Sequence, residues 1–398
     1  MMAETNVNDL TFPFRRSIPL VPPAIYSELR ESPPRQVSLR DGSQVWLVTR
    51  YDDVRYLLTD RRLSSDHTKP GFPKVFPVPP QPGLMSIIRM DAPDHGRLRG
   101  LLVKDFSPRM ISAMRPGIEA TVDGLLERMA VGPSPADLVK AFTLPLPSLV
   151  ICQLLGIPYR DHEFFQEKAL TIASTASNAQ DGAAAMAELS DYLGDLIGRK
   201  QRAPGDDLLS KLVTEHLAAG DISHQELVAL ARLLLMAGHD TTAQTLGLSV
   251  LALLQSPDQL DELRREPGLI GPAVSELIRF LSVVPAGARA AMADVEVGGV
   301  RIRAGEGIIL GLLSANHDER MFPGAGTLDI RRDARRHLAF GYGIHQCVGL
   351  MLARLEIEIA LTRLFTAFPT LTLAAPVADI PFRVDMLIYG LYRLPVAW

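Results

Sequence analysis

Between positions 92 and 254 apolar residues recur at three- and four-residue spacing, the period of helices packed on a core. Breaks near Pro108, Gly132 to Pro135, Pro158, Gly182, Pro204 and Gly220 divide this stretch into several predicted helices. The last of them, Leu227 to Leu254, is the longest apolar segment, interrupted by Arg232, His239, Asp240 and Gln244. Further helices are predicted over Pro257 to Glu266, Pro272 to Leu281 and Val348 to Leu361, and a short one over Tyr51 to Leu58, opened by Asp52 and Asp53. Val37-Ser38-Leu39 and Val45 to Val48 flank Asp41-Gly42, a hairpin signature, and Val295 to Ile302 reads as a second hairpin. Strand-like segments return near Leu371 to Leu373 and Leu387 to Leu394. Residues 1 to 24 read as irregular, and prolines at 70, 73, 77, 79, 80 and 82 make residues 69 to 83 a loop. The expectation is a mainly α chain with small β-sheets.

The 398 residues are 47% hydrophobic, enough for a large core. Pieces of one candidate site are scattered from His95 to Cys347, which points to a single domain over 1–398. A net charge of -4 gives no support for a nucleic-acid partner. Two cysteines exclude a disulfide framework and a multi-cysteine zinc site. Cys152, inside Leu149 to Leu155, reads as a core residue of a helix. The polar interruptions of Leu227 to Leu254 rule it out as a membrane span. The first residues lack a basic region followed by an apolar run, so no signal peptide is expected and the predicted location is cytoplasmic.

The other cysteine is in the most informative segment, Phe340-Gly341-Tyr342-Gly343-Ile344-His345-Gln346-Cys347-Val348-Gly349. Glycines let a flat group approach the backbone, and a thiolate ahead of a helix gains from free N–H groups and the helix dipole. Phe-x-x-Gly-x-His-x-Cys-x-Gly resembles the haem-thiolate signature of the cytochrome P450 family. The resemblance covers nearly the whole chain, from about Val45 onward. It implies the P450 fold, with a long central helix over a haem b whose iron takes Cys347 as axial thiolate. Phe340, Gly343 and Gly349 belong to the same cofactor loop. The absence of an N-terminal anchor resembles the soluble, bacterial, ferredoxin-dependent type, and the composition is similar to that of actinobacterial secondary-metabolism members.

Three further segments carry the resemblance. Ala237-Gly238-His239-Asp240-Thr241-Thr242, in the middle of the longest helix, resembles the oxygen-activation motif, with Asp240 and Thr241 at the catalytic acid and alcohol positions. Gly238 would let a small ligand near the backbone, and Thr241 can bond back to a carbonyl. Glu276 and Arg279 resemble the Glu-x-x-Arg pair that a third residue, here Arg332, joins in a structural role. His95 and Arg99, one helical turn apart, with Arg289, His337 and His345, match positions that contact the haem propionates. His317 stands where the family usually has arginine.

Nothing resembles a flavin or nicotinamide fingerprint, so electrons are expected from an iron-sulfur ferredoxin and its NAD(P)H-dependent reductase. Arg97, Lys104, Arg109, Arg335, Arg336 and Arg354 are expected to form its basic docking surface. Segments matching the family's pocket contribute Phe72, Phe76, Ile87, Ile88, Leu233, Met236, Val284, Met386 and Leu387, which suits a hydrophobic substrate. The substrate expected is a bulky natural product such as a macrolide, another polyketide or a cyclic peptide, free or bound to a carrier, with hydroxylation or epoxidation as the outcome. A peroxide-driven haem-thiolate enzyme, an oxidative-coupling P450 and a non-catalytic haem sensor are the rival readings.

Overall fold

The computed structural model describes residues 10–75, 86–173, 179–384, 386 and 388–398. Phe76 and Leu387 of the expected pocket lining lie outside the described residues.

Helices dominate: α1 (Ile25–Glu31), α2 (Tyr51–Leu57), α3 (Asp94–Gly100), α4 (Pro108–Ala113), α5 (Arg115–Ala130), α6 (Pro145–Leu155) and α7 (His162–Ala173). After them come α8 (Ala179–Arg202), α9 (Leu208–Leu212), α10 (His224–Leu254), α11 (Pro257–Arg265), α12 (Ile270–Leu281), α13 (Leu312–Asn316) and α14 (Leu350–Ala367). The strands are β1 (Thr11–Phe12), β2 (Arg35–Leu39), β3 (Gln44–Val48), β4 (Leu63–Ser64), β5 (Ala136–Asp137), β6 (Gly287–Ala291), β7 (Val295–Val297), β8 (Val300–Ile302), β9 (Gly307–Leu310), β10 (Thr372–Leu373) and β11 (Pro395–Ala397).

The larger sheet runs β1-β2-β3-β9-β6-β4, β10-β11-β5 form a second, and β7-β8 are a separate hairpin. Both predicted hairpins are present, the first turning at Gly42 with φ 82°. The strands of the larger sheet come from distant parts of the chain: Trp46 faces Ile308, and Ile308 faces Arg289. That pairing delivers Arg289 to the site described below.

Helix α10 is the axis of the molecule. Ser223 and Glu226 form a reciprocal cap at its start, Glu226 N–H donating to Ser223 Oγ and Ser223 N–H to Glu226 Oε2. Its residues are buried on nearly every face, so its sequence is apolar all round rather than striped. It packs against α6, α8 and α14.

Several expectations shift. Gly182 does not interrupt a helix, because α8 runs through it. The helix after the cysteine loop begins at Leu350 and extends to Ala367, beyond Leu361. Residues before 24 are not wholly irregular, since Thr11–Phe12 pairs with Ser38–Leu39. The last strand is Pro395–Ala397 rather than Leu387 to Leu394, where Pro395 and Val396 find partners in Asp137 and Ala136. Cys152 is buried in α6, where burial pushes its thiol up to about 12. No helix among the described residues is long and apolar enough to cross a membrane.

Candidate active site around the cysteine loop

The cysteine loop folds back on itself: Cys347 N–H donates to Phe340 O at 2.8 Å, and Gly341 and Gly343 take φ of 69° and 75°. The space that Gly343 leaves is filled by the Leu58 carbonyl, 3.0 Å from where a Cβ would stand, so this glycine lets the loop close onto the end of α2. Gly349 caps α14 and directs its N–H to the Cys347 sulfur. Cys347 itself is solvent-accessible. The protein crowded around it pushes its thiol up, whereas the Gly349 N–H and the Arg99 guanidinium pull it down.

Beside it lies a group of cationic and donor side chains, with Asp91 the carboxylate that acts on His95 and Arg289. Arg99 donates to Gln346 O at 2.6 Å. The rings of His95 and His345 stand 4.2 Å apart, and His95 Nε2 and His345 Nδ1 are buried with no partner. Arg289 is buried and pushed down to about 10 by desolvation, its one hydrogen bond going to the Ala288 carbonyl. Among the described residues no carboxylate pairs with Arg89, Arg99 or Arg289. Burial, with Arg289, His95, Arg99 and Arg89 nearby, drives His345 down to about 3. So many desolvated donors at one place suit a bound anion. Of the positions singled out in the sequence, His95, Arg99, Arg289 and His345 stand here, and two residues the sequence reading did not name stand with them. Arg89, stacked over Phe72 at 5.0 Å and desolvated, acts electrostatically on both Arg289 and His345. His67 Nδ1 is a further buried nitrogen without a partner, with Arg89 the nearby charge. Neither lies in a recognisable motif; only the fold makes them neighbours.

His337 has contacts of its own. Its ring packs on Phe340 at 5.5 Å, its Nδ1 accepts from Ala339 N–H, and the charges acting on it are Arg354 and Arg279. Burial drives it down to about 4.

Helix α10 carries the second candidate group. Ala237 is exposed in the middle of a largely buried helix, and Leu233, Met236, Gly238 and Thr241 are half-buried. At helical spacing these residues make one open stripe. Thr241 Oγ1 donates to Ala237 O at 2.8 Å, the expected back-bond. Behind the stripe, Ile151 of α6 lies against Gly238 so closely that a Cβ there would stand 2.9 Å from Ile151 Cδ1. Gly238 therefore has a packing reason as well as any ligand role.

Asp240 points elsewhere. Its carboxylate accepts from Arg383 Nη1 at 2.6 Å and Nη2 at 3.1 Å, both side chains buried. The sequence reading left Arg383 out; it lies 143 residues away in a segment with no motif.

The structural triad is assembled. Arg279 makes two bonds to Glu276, at 2.6 and 2.8 Å, and Arg332 Nε reaches Glu276 Oε1 at 3.1 Å. Arg279 also donates to the carbonyls of Asn316 and Ala325, so its charge is matched on every side.

Comparison with known proteins gives the family. The sequence model described as Cytochrome P450 matches residues 177–381. The pentalenic acid synthase of Streptomyces avermitilis is 47% identical over 394 residues, covering 98% of this chain and 97% of the relative. The 20-oxo-5-O-mycaminosyltylactone 23-monooxygenase of Streptomyces fradiae is 42% identical, covering 98% and 92%. The crystal structure of the mycinamicin VIII C21 methyl hydroxylase of Micromonospora griseorubida, bound to mycinamicin VIII, superposes with a TM-score of 0.94 at 42% identity, covering 98% of this chain and all of that one. Matching in sequence and fold over almost its full length, the chain belongs to the cytochrome P450 family.

Proposed function

We propose that Cys347 is the axial thiolate of a haem held between the cysteine loop and the open stripe of α10, in a single catalytic domain that oxidises a bulky hydrophobic natural product. The family's enzymes are haem-thiolate monooxygenases, which bacterial members of this type generally run on electrons from a ferredoxin and its reductase. The observation that carries the assignment is the set of unpartnered donors beside Cys347. His95, Arg99, Arg289 and His345, joined by Arg89 and His67, fit a planar dianion whose two carboxylates need charge and hydrogen bonds. When bound, the haem supplies dioxygen activation and oxygen insertion.

The chain's own residues do the rest. Gly349 N–H and Arg99 favour the ionised sulfur of Cys347. Ala237 and Gly238 leave the middle of α10 without bulk. Thr241 presents a hydroxyl that can turn from the Ala237 carbonyl to pass a proton, with Asp240 as the neighbouring acid. Phe72, Leu233, Met236 and Val284 supply apolar walls and no charged anchor, so shape and burial select the substrate. Relatives named for a macrolide and a terpenoid acid support a natural-product substrate, free or carrier-bound, and hydroxylation as the outcome.

The test is a titration of the ferric enzyme with mycinamicin VIII, filipin I and vitamin D3. A shift of the Soret band to high spin with one of them identifies the class that enters the pocket. No haem uptake by the protein, or a carbon monoxide spectrum of the reduced enzyme unchanged in Cys347→Ala, would refute the assignment.

A further inference from the structure

Neighbouring residues on a helix project about 100° apart. Thr241 therefore belongs to the open stripe of α10, whereas Asp240 is turned into the protein, where it meets the segment 382–391. That segment is a narrow loop: Phe382 bridges Leu391, and Arg383 N–H donates to Gly390 O at 2.9 Å. Besides the Arg383 ion pair, a second tie runs from it to α10. Leu391 N–H donates to Gln244 Oε1 at 2.7 Å, and Gln244 lies one turn beyond Asp240 and donates weakly to it at 3.4 Å. Gly390 has to be glycine, since any Cβ would overlap the Gln244 amide. Met386, an expected pocket residue, belongs to the same segment.

We propose that Arg383 is a positioning residue for proton delivery: it holds Asp240 as a carboxylate against the C-terminal loop and so ties proton supply at Thr241 to the loop that walls the pocket. This rests on the reading of Asp240 as the acid. The charge arrangement is asymmetric. The groups facing Asp240 are Arg383 and Gln244 from the tie and His239 beside it on α10. Arg383 is the one permanent cation among them, and its remaining Nε is buried without a partner. A buried carboxylate that loses its cation keeps its proton to higher pH. Removing Arg383 therefore changes when the acid can take up and release a proton, not merely where the loop rests.

The experiment uses the haem-loaded enzyme with a plant-type ferredoxin and its NADPH-dependent reductase, without substrate. Each dioxygen released as hydrogen peroxide takes up two electrons and two protons, so NADPH consumption reports proton supply with no substrate assigned. In Arg383→Gln the rate should fall by about tenfold or more, and its pH profile should move to higher pH. Arg383→Lys, which restores the charge, should recover most of the rate. Asp240→Asn should be slow, and the double variant no slower than Asp240→Asn alone, because Arg383 acts through Asp240. Rates are taken per bound haem, so partial misfolding does not mimic the effect. A normal rate and profile in Arg383→Gln beside a slow Asp240→Asn, or losses that multiply in the double variant, would overturn the role of Arg383 alone. A normal rate in Asp240→Asn would remove the acid itself and the inference with it.

Discussion

Thr241 has the clearest single-residue consequence. Its hydroxyl is parked on the Ala237 carbonyl, on the open side of α10. Thr241→Ala removes no core packing, so the protein should fold and take up haem normally. It should consume NAD(P)H with little product, and unchanged product per NAD(P)H would exclude the hydroxyl from proton handling. His317 makes the opposite kind of case, a structural residue with a pH signature. It is buried, stacked near Phe280 at 5.7 Å, bonded through Nδ1 to Leu313 O, and driven down to about 3 by burial and by Arg279. Its ordinary value is 6.5, so the unfolded chain gains a proton below that pH while the folded chain does not. Stability is thus complete above about pH 6.5 and lost as pH falls, by about 2 kcal/mol from this one residue on reaching about pH 5. His317→Gln should flatten that part of a denaturant-unfolding profile taken against pH. If the acid limb is as steep as before, His317 is not its source.

Among the elements, the junction of α12, α13 and the segment before the cysteine loop depends on buried charge. Glu276 and Arg279 are fully buried, and Arg332 closes the group from the chain that leads to Phe340. Asn316, at the end of α13, adds a second tie by accepting Leu338 N–H at 2.6 Å and donating to Ser282 Oγ at 2.8 Å. Glu276→Gln leaves the Arg279 charge buried and uncompensated, which costs about 3–5 kcal/mol. The cysteine loop hangs from this junction, so the variant should lose haem faster to apomyoglobin as well as melt lower. A lower melting temperature with unchanged haem loss would separate the triad from the loop.

For the whole molecule, the distribution of paired and free cations narrows the expected docking surface. Arg97 pairs with Glu226 and Arg335 with Asp333, so both charges are largely cancelled in place. Lys104 and Arg109 are exposed and carry no ion pair among the described residues. Exchanging these two for glutamate should raise the KM for ferredoxin and weaken its dependence on ionic strength, with kcat at saturation nearly unchanged. Arg335→Glu should do much less. Equal effects from the two changes would mean that the charge of this face acts as a whole rather than at free positions.

The sequence by itself determined what depends on local pattern. Helix periods, the two hairpins, the cysteine loop and the Glu276–Arg279 pair are each contained within a few residues, where spacing alone fixes which side chains can meet. What the tertiary structure decided are meetings across long stretches of chain. Arg89 and His67 come to stand with His95, Arg99, Arg289 and His345, and Pro395–Ala397 rather than the residues before it becomes the last strand, because sheet pairing and burial choose among positions that are locally alike. The partner of Asp240 is the plainest instance. An acid beside a threonine is visible in the sequence, but burying a carboxylate demands a cation, and only the folded chain shows that the cation is Arg383.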